Sequence, residues 1–177
     1  MAALICFWWL QRPENVIGGH ITWADYRPAE HPHHVRIFHH KTDQPVWLPL
    51  SDDDGPFYPH LEVCITNLQR LGTFIVLNES ERGPDRCFSL SYARRRVREA
   101  RRAAGLPEHV TLDACRHGGL TALGDAGATA FEIRAMSAHK TLAGVQGYVK
   151  GTETQKLSGS RKRHTLINGT KSEDLSE

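Results

Sequence analysis

The amino-acid sequence predicts an α+β domain, mostly helical, with a small three-stranded antiparallel sheet near its start. Two observations lead there. Val35, Ile37 and His39 alternate on one face of a segment that a Thr-Asp-Gln-Pro turn closes, which is the period of a half-buried strand in a hairpin. Leu61, Ile65, Leu68 and Leu71 then recur at helical spacing, and the segments that follow read as helices. The order of helix, strands, then helices leaves little room for a parallel sheet.

Taken along the chain, residues 2–12 read as a helix, with no Gly or Pro before Pro13. Gly18-Gly19 marks a turn, and Ile21 to Tyr26 has the character of a first strand. Residues 27–33 carry two prolines and read as a loop. His34 to Lys41 and Val46 to Leu50 are the second and third strands, joined by a hairpin near Lys41. Ser51 to Pro59 is acidic and rich in turn residues, and a helix is expected from about His60 to Leu71. Phe74 to Leu77 is a short apolar run, and Asn78 to Asp85 is a loop. Ser89 to Ala104 is a strongly basic helix, closed by Gly105 with Pro107 beyond it. Leu112 to about Asp125, Thr129 to about Ser137 and Leu142 to Lys150 are further helices. After Gly151 the composition turns polar. The expected organisation is therefore one domain over residues 1–150, followed by a flexible polar tail over residues 151–177.

A chain of 177 residues, 40% hydrophobic and 24% charged, is that of an ordinary globular domain able to bury a core without disulfides. Cys6, Cys64, Cys87 and Cys115 are far apart, with no CxxC pair, and read as free thiols of a reducing compartment. The apolar start from Met1 to Leu10 is too short to span a bilayer and lacks a basic flank, so no membrane association is expected. Net charge is only +2, but Arg94 to Arg102 and Arg161 to Arg163 concentrate cations locally, and such clusters can contact phosphate. His31, His33, His34, His39 and His40 match no standard zinc spacing and have no thiolate nearby.

The most specific pattern lies in residues 111–148. It holds Asp113-Ala114-Cys115-Arg116-His117, then Ala138-His139, then Tyr148 nine residues after His139, with Ala126-Gly127 closing the helix between the first two. Upstream stand Arg12 behind an apolar helix, Asn15, Trp23-Ala24-Asp25, and Lys41-Thr42 before a strand ending in Pro49-Leu50. In this order the motifs resemble the catalytic domain of tyrosine recombinases, the phage-integrase family, over roughly residues 4–150.

The resemblance implies a site-specific DNA recombinase or integrase that cleaves and rejoins strands through a 3′-phosphotyrosine bond. Tyr148 would be the nucleophile. Arg12 and Arg116 would clamp the scissile phosphate with planar, permanently charged forks. Lys41 on the hairpin would protonate the leaving 5′-oxygen, and His139 would assist the phosphate. The arginines supply the charge, so no metal or other cofactor is implied. The implied partner is double-stranded DNA, bound by a homo-oligomer, dimer or tetramer, in the cytoplasm at the nucleoid. Four departures accompany the match, one of them two extra residues between Arg12 and Trp23. Asp113 stands where the family's first box opens with His, and reads as a helix N-cap or as a salt-bridge partner of Arg116. His117 follows the arginine in the family as well and is given no separate role. Ala138 replaces the usual Gly. The family's N-terminal DNA-clamping domain is expected to be missing. Two alternatives stay open: an inactive or truncated remnant that only folds or binds DNA weakly, and a type IB topoisomerase, which shares the chemistry.

Overall fold

The computed structural model describes residues 1–39, 44–78, 87–149 and 151–169. About half of the chain is helical, and the expected α+β class is the observed one. Helix α1 (Ala2–Trp8) is followed at once by a short α2 (Pro13–Ile17). The hairpin of β1 (His34–His39) and β2 (Gln44–Pro49) comes next, and a two-residue ladder joins β3 (Ser51–Asp52) to β4 (Gly55–Pro56). Six-residue β1 pairs antiparallel with β2 in a register that sets Val35 opposite Leu48 and Ile37 opposite Val46. Val35, Ile37 and His39 all point inward and are buried, as their alternation predicts.

The first strand of the predicted sheet is reduced to single bridges. Thr22 pairs with Phe74, and Tyr26 pairs with Val35. The cause is a local turn. Asp25 Oδ2 accepts from Thr22 Oγ1 at 2.6 Å, and the Asp25 and Tyr26 amides donate back to the Thr22 and Trp23 carbonyls. Backbone groups used in a turn are lost to a ladder. Asp25 also ties the segment to β1, through the Arg36 Nε–Asp25 Oδ1 ion pair at 2.7 Å.

The remaining helices are α3 (Pro59–Thr66), α4 (Leu90–Ala103), α5 (Leu112–Asp125), α6 (Ala130–Ser137), α7 (Ala143–Gln146) and α8 (Glu153–Gly169). α4 starts where Ser89 accepts a hydrogen bond from the Tyr92 amide, and its chain turns away at Gly105, φ +64°. α6 begins with a full capping box between Thr129 and Glu132. The segment read as a polar tail is helical over α8, with the side chains of residues 153–167 largely exposed. Asp125 at the end of α5 holds the start of α8 by accepting from Thr152 Oγ1 at 2.7 Å and Gln155 Nε2 at 3.1 Å.

Two apolar clusters organise the interior. The larger gathers Ile5, Trp9, Val35, Ile37, Leu48, Leu61 and Ile65 between α1, the hairpin and α3. The smaller joins Leu10, Leu120, Ile133 and Val145 beneath the ends of α5, α6 and α7. α1 lies directly on α5 because Gly119 presents no side chain. A Cβ there would collide with the Phe7 carbonyl oxygen and approach Leu10 Cδ2 to 2.9 Å.

Candidate active site

A cavity of about 610 Å³ opens where α2, α5, the turn after α6 and the residue just beyond α7 converge, and Arg12, Glu14, Asn15, Asp113, Arg116, His117, His139 and Tyr148 line it. Four of the five sequence-predicted site residues, Arg12, Arg116, His139 and Tyr148, therefore share one cavity. The fifth, Lys41, lies outside the described residues.

Arg116 is the fixed point. Only 4% of it is exposed. Its Nη1 donates to the Leu10 carbonyl, and its Nη2 donates to the Ser137 carbonyl at 3.1 Å and faces His139 Nε2 at 3.5 Å. Both carbonyls are aimed by unusual backbone. Leu10 (φ +57°) and Ala138 (φ +53°) both occupy the left-handed region, the first ending the α1 segment short of residue 12 and the second capping α6. The expected Asp113–Arg116 salt bridge is absent among the described residues. Carbonyls on opposite sides of the guanidinium hold it instead. The expected Asp113 N-cap is also replaced. Thr111 caps α5 by accepting from the Ala114 amide at 3.1 Å, and Asp113 sits exposed in the first turn.

Arg12 stands just before α2, whose Pro13 fixes the helix start. Its buried Nη1 has no hydrogen-bond partner among the described residues. Neither Arg12 nor Arg116 pairs with a carboxylate among the described residues. Burial, and then the neighbouring Arg12 charge, push Arg116 down to about 10. Two converging cations without a counter-ion are costly in a protein interior, and an entering anion relieves that cost.

His139 follows the left-handed Ala138. Its Nδ1 contacts Ser137 Oγ at 2.5 Å, and that hydroxyl donates to the Ile133 carbonyl. The Nδ1–H tautomer satisfies both bonds and leaves Nε2 facing the cavity as an acceptor. Burial, then Arg116 and Arg12, push His139 down to about 4, so the ring is neutral at pH 7. His39, buried on β1 and hydrogen-bonded to Asn15 Nδ2 at 3.0 Å, is also pushed down to about 4, by burial first and then by Arg12. In the unfolded chain both rings regain the ordinary histidine value of about 6.5, so on acidification they take up protons there first. Stability is thus full above pH 6.5 and is expected to fall between about pH 6.5 and pH 4, with a lower urea midpoint at pH 4.5 than at pH 7.5.

Tyr148 is positioned by its backbone. Its amide donates to the carbonyl of fully buried Val145 at 2.9 Å, its carbonyl accepts from Gln155 Nε2 at 3.2 Å, and a Cβ at Gly124 would come within 2.6 Å of that carbonyl oxygen. Its hydroxyl meets His117 Nδ1 at 2.6 Å, and the two rings stack with centroids 5.6 Å apart. His117 is thus a site residue that sequence reasoning passed over. The signal was its place one residue after Arg116, on the α5 face that also carries Asp113.

The sequence matches no family model and no curated protein. The fold does find counterparts. The XerA recombinase superposes with a TM-score of 0.63 at 15% identity, covering 90% of this chain and 55% of that one. A lambda integrase dimer bound to a COC' core site gives 0.64 at 15% identity, covering 84% and 41%. The Tn1549 transposon integrase, in complex with a circular intermediate DNA, gives 0.59 at 15% identity, covering 90% and 57%. The chain has the fold of a tyrosine-recombinase catalytic domain. It spans 41–57% of the length of these three recombinase chains.

Within this recombinase fold, Ala138 occupies a left-handed position that favours glycine. Ala138→Gly is expected to raise stability by about 0.5–1 kcal/mol, because relieving the left-handed strain outweighs the added freedom of the unfolded chain. Paired urea denaturation curves measure it.

Proposed function

We propose that this chain is the catalytic domain of a site-specific DNA recombinase or integrase, cleaving and rejoining strands through a 3′-phosphotyrosine bond at Tyr148. The observation that carries the reading is the cavity itself. Two arginines without carboxylate partners among the described residues and a neutral histidine line one cavity with a tyrosine hydroxyl.

Arg116, pre-set by the Leu10 and Ser137 carbonyls, and Arg12, with an unsatisfied donor, receive the non-bridging oxygens of a scissile phosphate. Their charge stabilises the pentavalent transition state, and charge already in place needs no reorganisation during the reaction. The incoming anion offsets the arginine field that keeps His139 unprotonated, so His139 gains basicity as the phosphate binds and can become a donor to it. Tyr148 attacks phosphorus, and the 5′-oxygen leaves. Lys41 is the proposed proton donor to that oxygen. The phosphotyrosine bond conserves the energy of the broken phosphodiester, so rejoining needs no nucleotide cofactor.

Double-stranded DNA is the proposed partner. A dimer or tetramer on DNA is proposed because one lambda integrase structure is a dimer on a core site and another is a tetramer bound to a Holliday junction. The proposed location is the cytoplasm, at the nucleoid. The test is a denaturant-resistant DNA–protein adduct on nicked, randomised duplexes, present for the unmodified chain and absent for Tyr148→Phe. A folded protein that binds these duplexes without forming an adduct would instead be the inactive remnant.

A further inference from the structure

We infer that His117 is the proton acceptor for Tyr148, filling the place that Asp113 leaves without an imidazole. The inference rests on the recombinase reading above and deepens it by assigning the nucleophile's proton.

The geometry points to one ring. Tyr148 Oη lies 2.6 Å from His117 Nδ1 and has no other hydrogen-bond partner among the described residues. The stacked rings, 28° from parallel, keep the two groups in register. The Nε2–H tautomer of His117 leaves Nδ1 free to accept.

The competing groups are less suited. His139 spends Nδ1 on Ser137, turns Nε2 toward Arg116, and has its ring centroid 6.0 Å from that of Tyr148. The arginine charges that lower its basicity oppose taking a proton. Asp113 lines the cavity but makes no hydrogen bond to Tyr148 among the described residues. It stands one helical turn before His117, on the same face of α5. His117 is itself exposed, so water shares the charge of the imidazolium that forms.

The step balances. As the Oη–P bond forms and the P–O5′ bond breaks, the phenolic proton passes to His117 Nδ1, and the departing 5′-oxygen takes its own proton from Lys41 or water. In rejoining, the 5′-hydroxyl attacks phosphorus and gives its proton back to Lys41 or water, the P–Oη bond breaks, and His117 returns its proton to the leaving Tyr148 oxygen.

The experiment uses the full chain and duplexes recovered from adducts of the unmodified protein. His117→Gln and His117→Gly are expected to lower single-turnover adduct formation by about 10²–10⁴-fold. Added imidazole should partly restore His117→Gly. A duplex with a 5′-bridging sulfur, whose thiolate leaves without a proton, should not rescue His117→Gln but should rescue Lys41→Ala. Circular dichroism confirms that each variant is folded. Rates for His117→Gln within threefold of the unmodified protein, or full rescue by the sulfur leaving group, would overturn the assignment. So would a loss in Asp113→Asn larger than that in His117→Gln. Absence of any adduct from the unmodified protein would count against the recombinase reading itself, a different outcome from these.

Discussion

Arg116→Ala is expected to reduce adduct formation by about 10²–10³-fold or more, equivalent to about 3–4 kcal/mol of lost transition-state stabilisation. It is expected to cost folding stability as well, because the side chain is 96% buried and joins two carbonyls far apart in sequence. Removing it leaves the Leu10 and Ser137 carbonyls unsatisfied, at about 1–3 kcal/mol. Arg116→Lys keeps the charge but loses the planar fork. A single ammonium on a flexible stem cannot hold both carbonyls and a phosphate oxygen together. The lysine variant should therefore resemble the alanine variant in cleavage and recover only part of the stability. Single-turnover cleavage and thermal melting, measured side by side, separate the two losses. Near-normal cleavage in Arg116→Lys would mean that charge alone suffices.

Gly119→Ala is expected to be the most damaging substitution outside the cavity. The added methyl would meet the Phe7 backbone, which cannot swing aside, and Leu10 Cδ2 at 2.9 Å. α1 must then move off α5. Overpacking of this kind costs about 1–3 kcal/mol, and a backbone clash belongs at or above the upper end. The neighbouring Gly118 is the control. A Cβ there lies 3.7 Å from the Phe7 ring, an ordinary contact. Gly118→Ala should therefore be neutral or stabilising by up to about 1 kcal/mol through helix propensity. Urea denaturation of the two variants tests the contrast. The same seam carries the Leu10 carbonyl that orients Arg116, so Gly119→Ala should also slow cleavage in whatever fraction remains folded.

The features legible in the sequence are those set by near neighbours. α4, α5 and α6 lie close to where caps and glycines place them, at Ser89, Gly105 and the Thr129–Glu132 box. The inward face of β1 follows from alternation alone. What escaped depends on distant partners. The early end of α1 comes with Leu10 turning left-handed, and its carbonyl bonds a side chain 106 residues away. The Ile21–Tyr26 segment has strand composition, yet the Thr22–Asp25 contacts divert its backbone into a turn. α8 is polar, shows little amphipathic pattern and reads as a tail, and its first turn is held by Asp125 from another helix.

The site divides in the same way. Arg12, Arg116, His139 and Tyr148, singled out by the order and spacing of their motifs, line one cavity. His117 was visible beside Arg116, but its contact with Tyr148 was not, because that partner lies 31 residues along the chain. Asp113 was visible as a departure, but its two expected roles fall to Thr111 and to the Leu10 and Ser137 carbonyls.

The most direct test of the central claim is peptide mapping of the covalent adduct formed on nicked, randomised duplexes. After nuclease and protease digestion, mass spectrometry should place a nucleotide, linked through its 3′-phosphate, on the peptide that contains Tyr148, and on no peptide from Tyr148→Phe. A 5′-linked nucleotide, an adduct on another residue, or no adduct from a folded protein that binds the duplex would contradict the account.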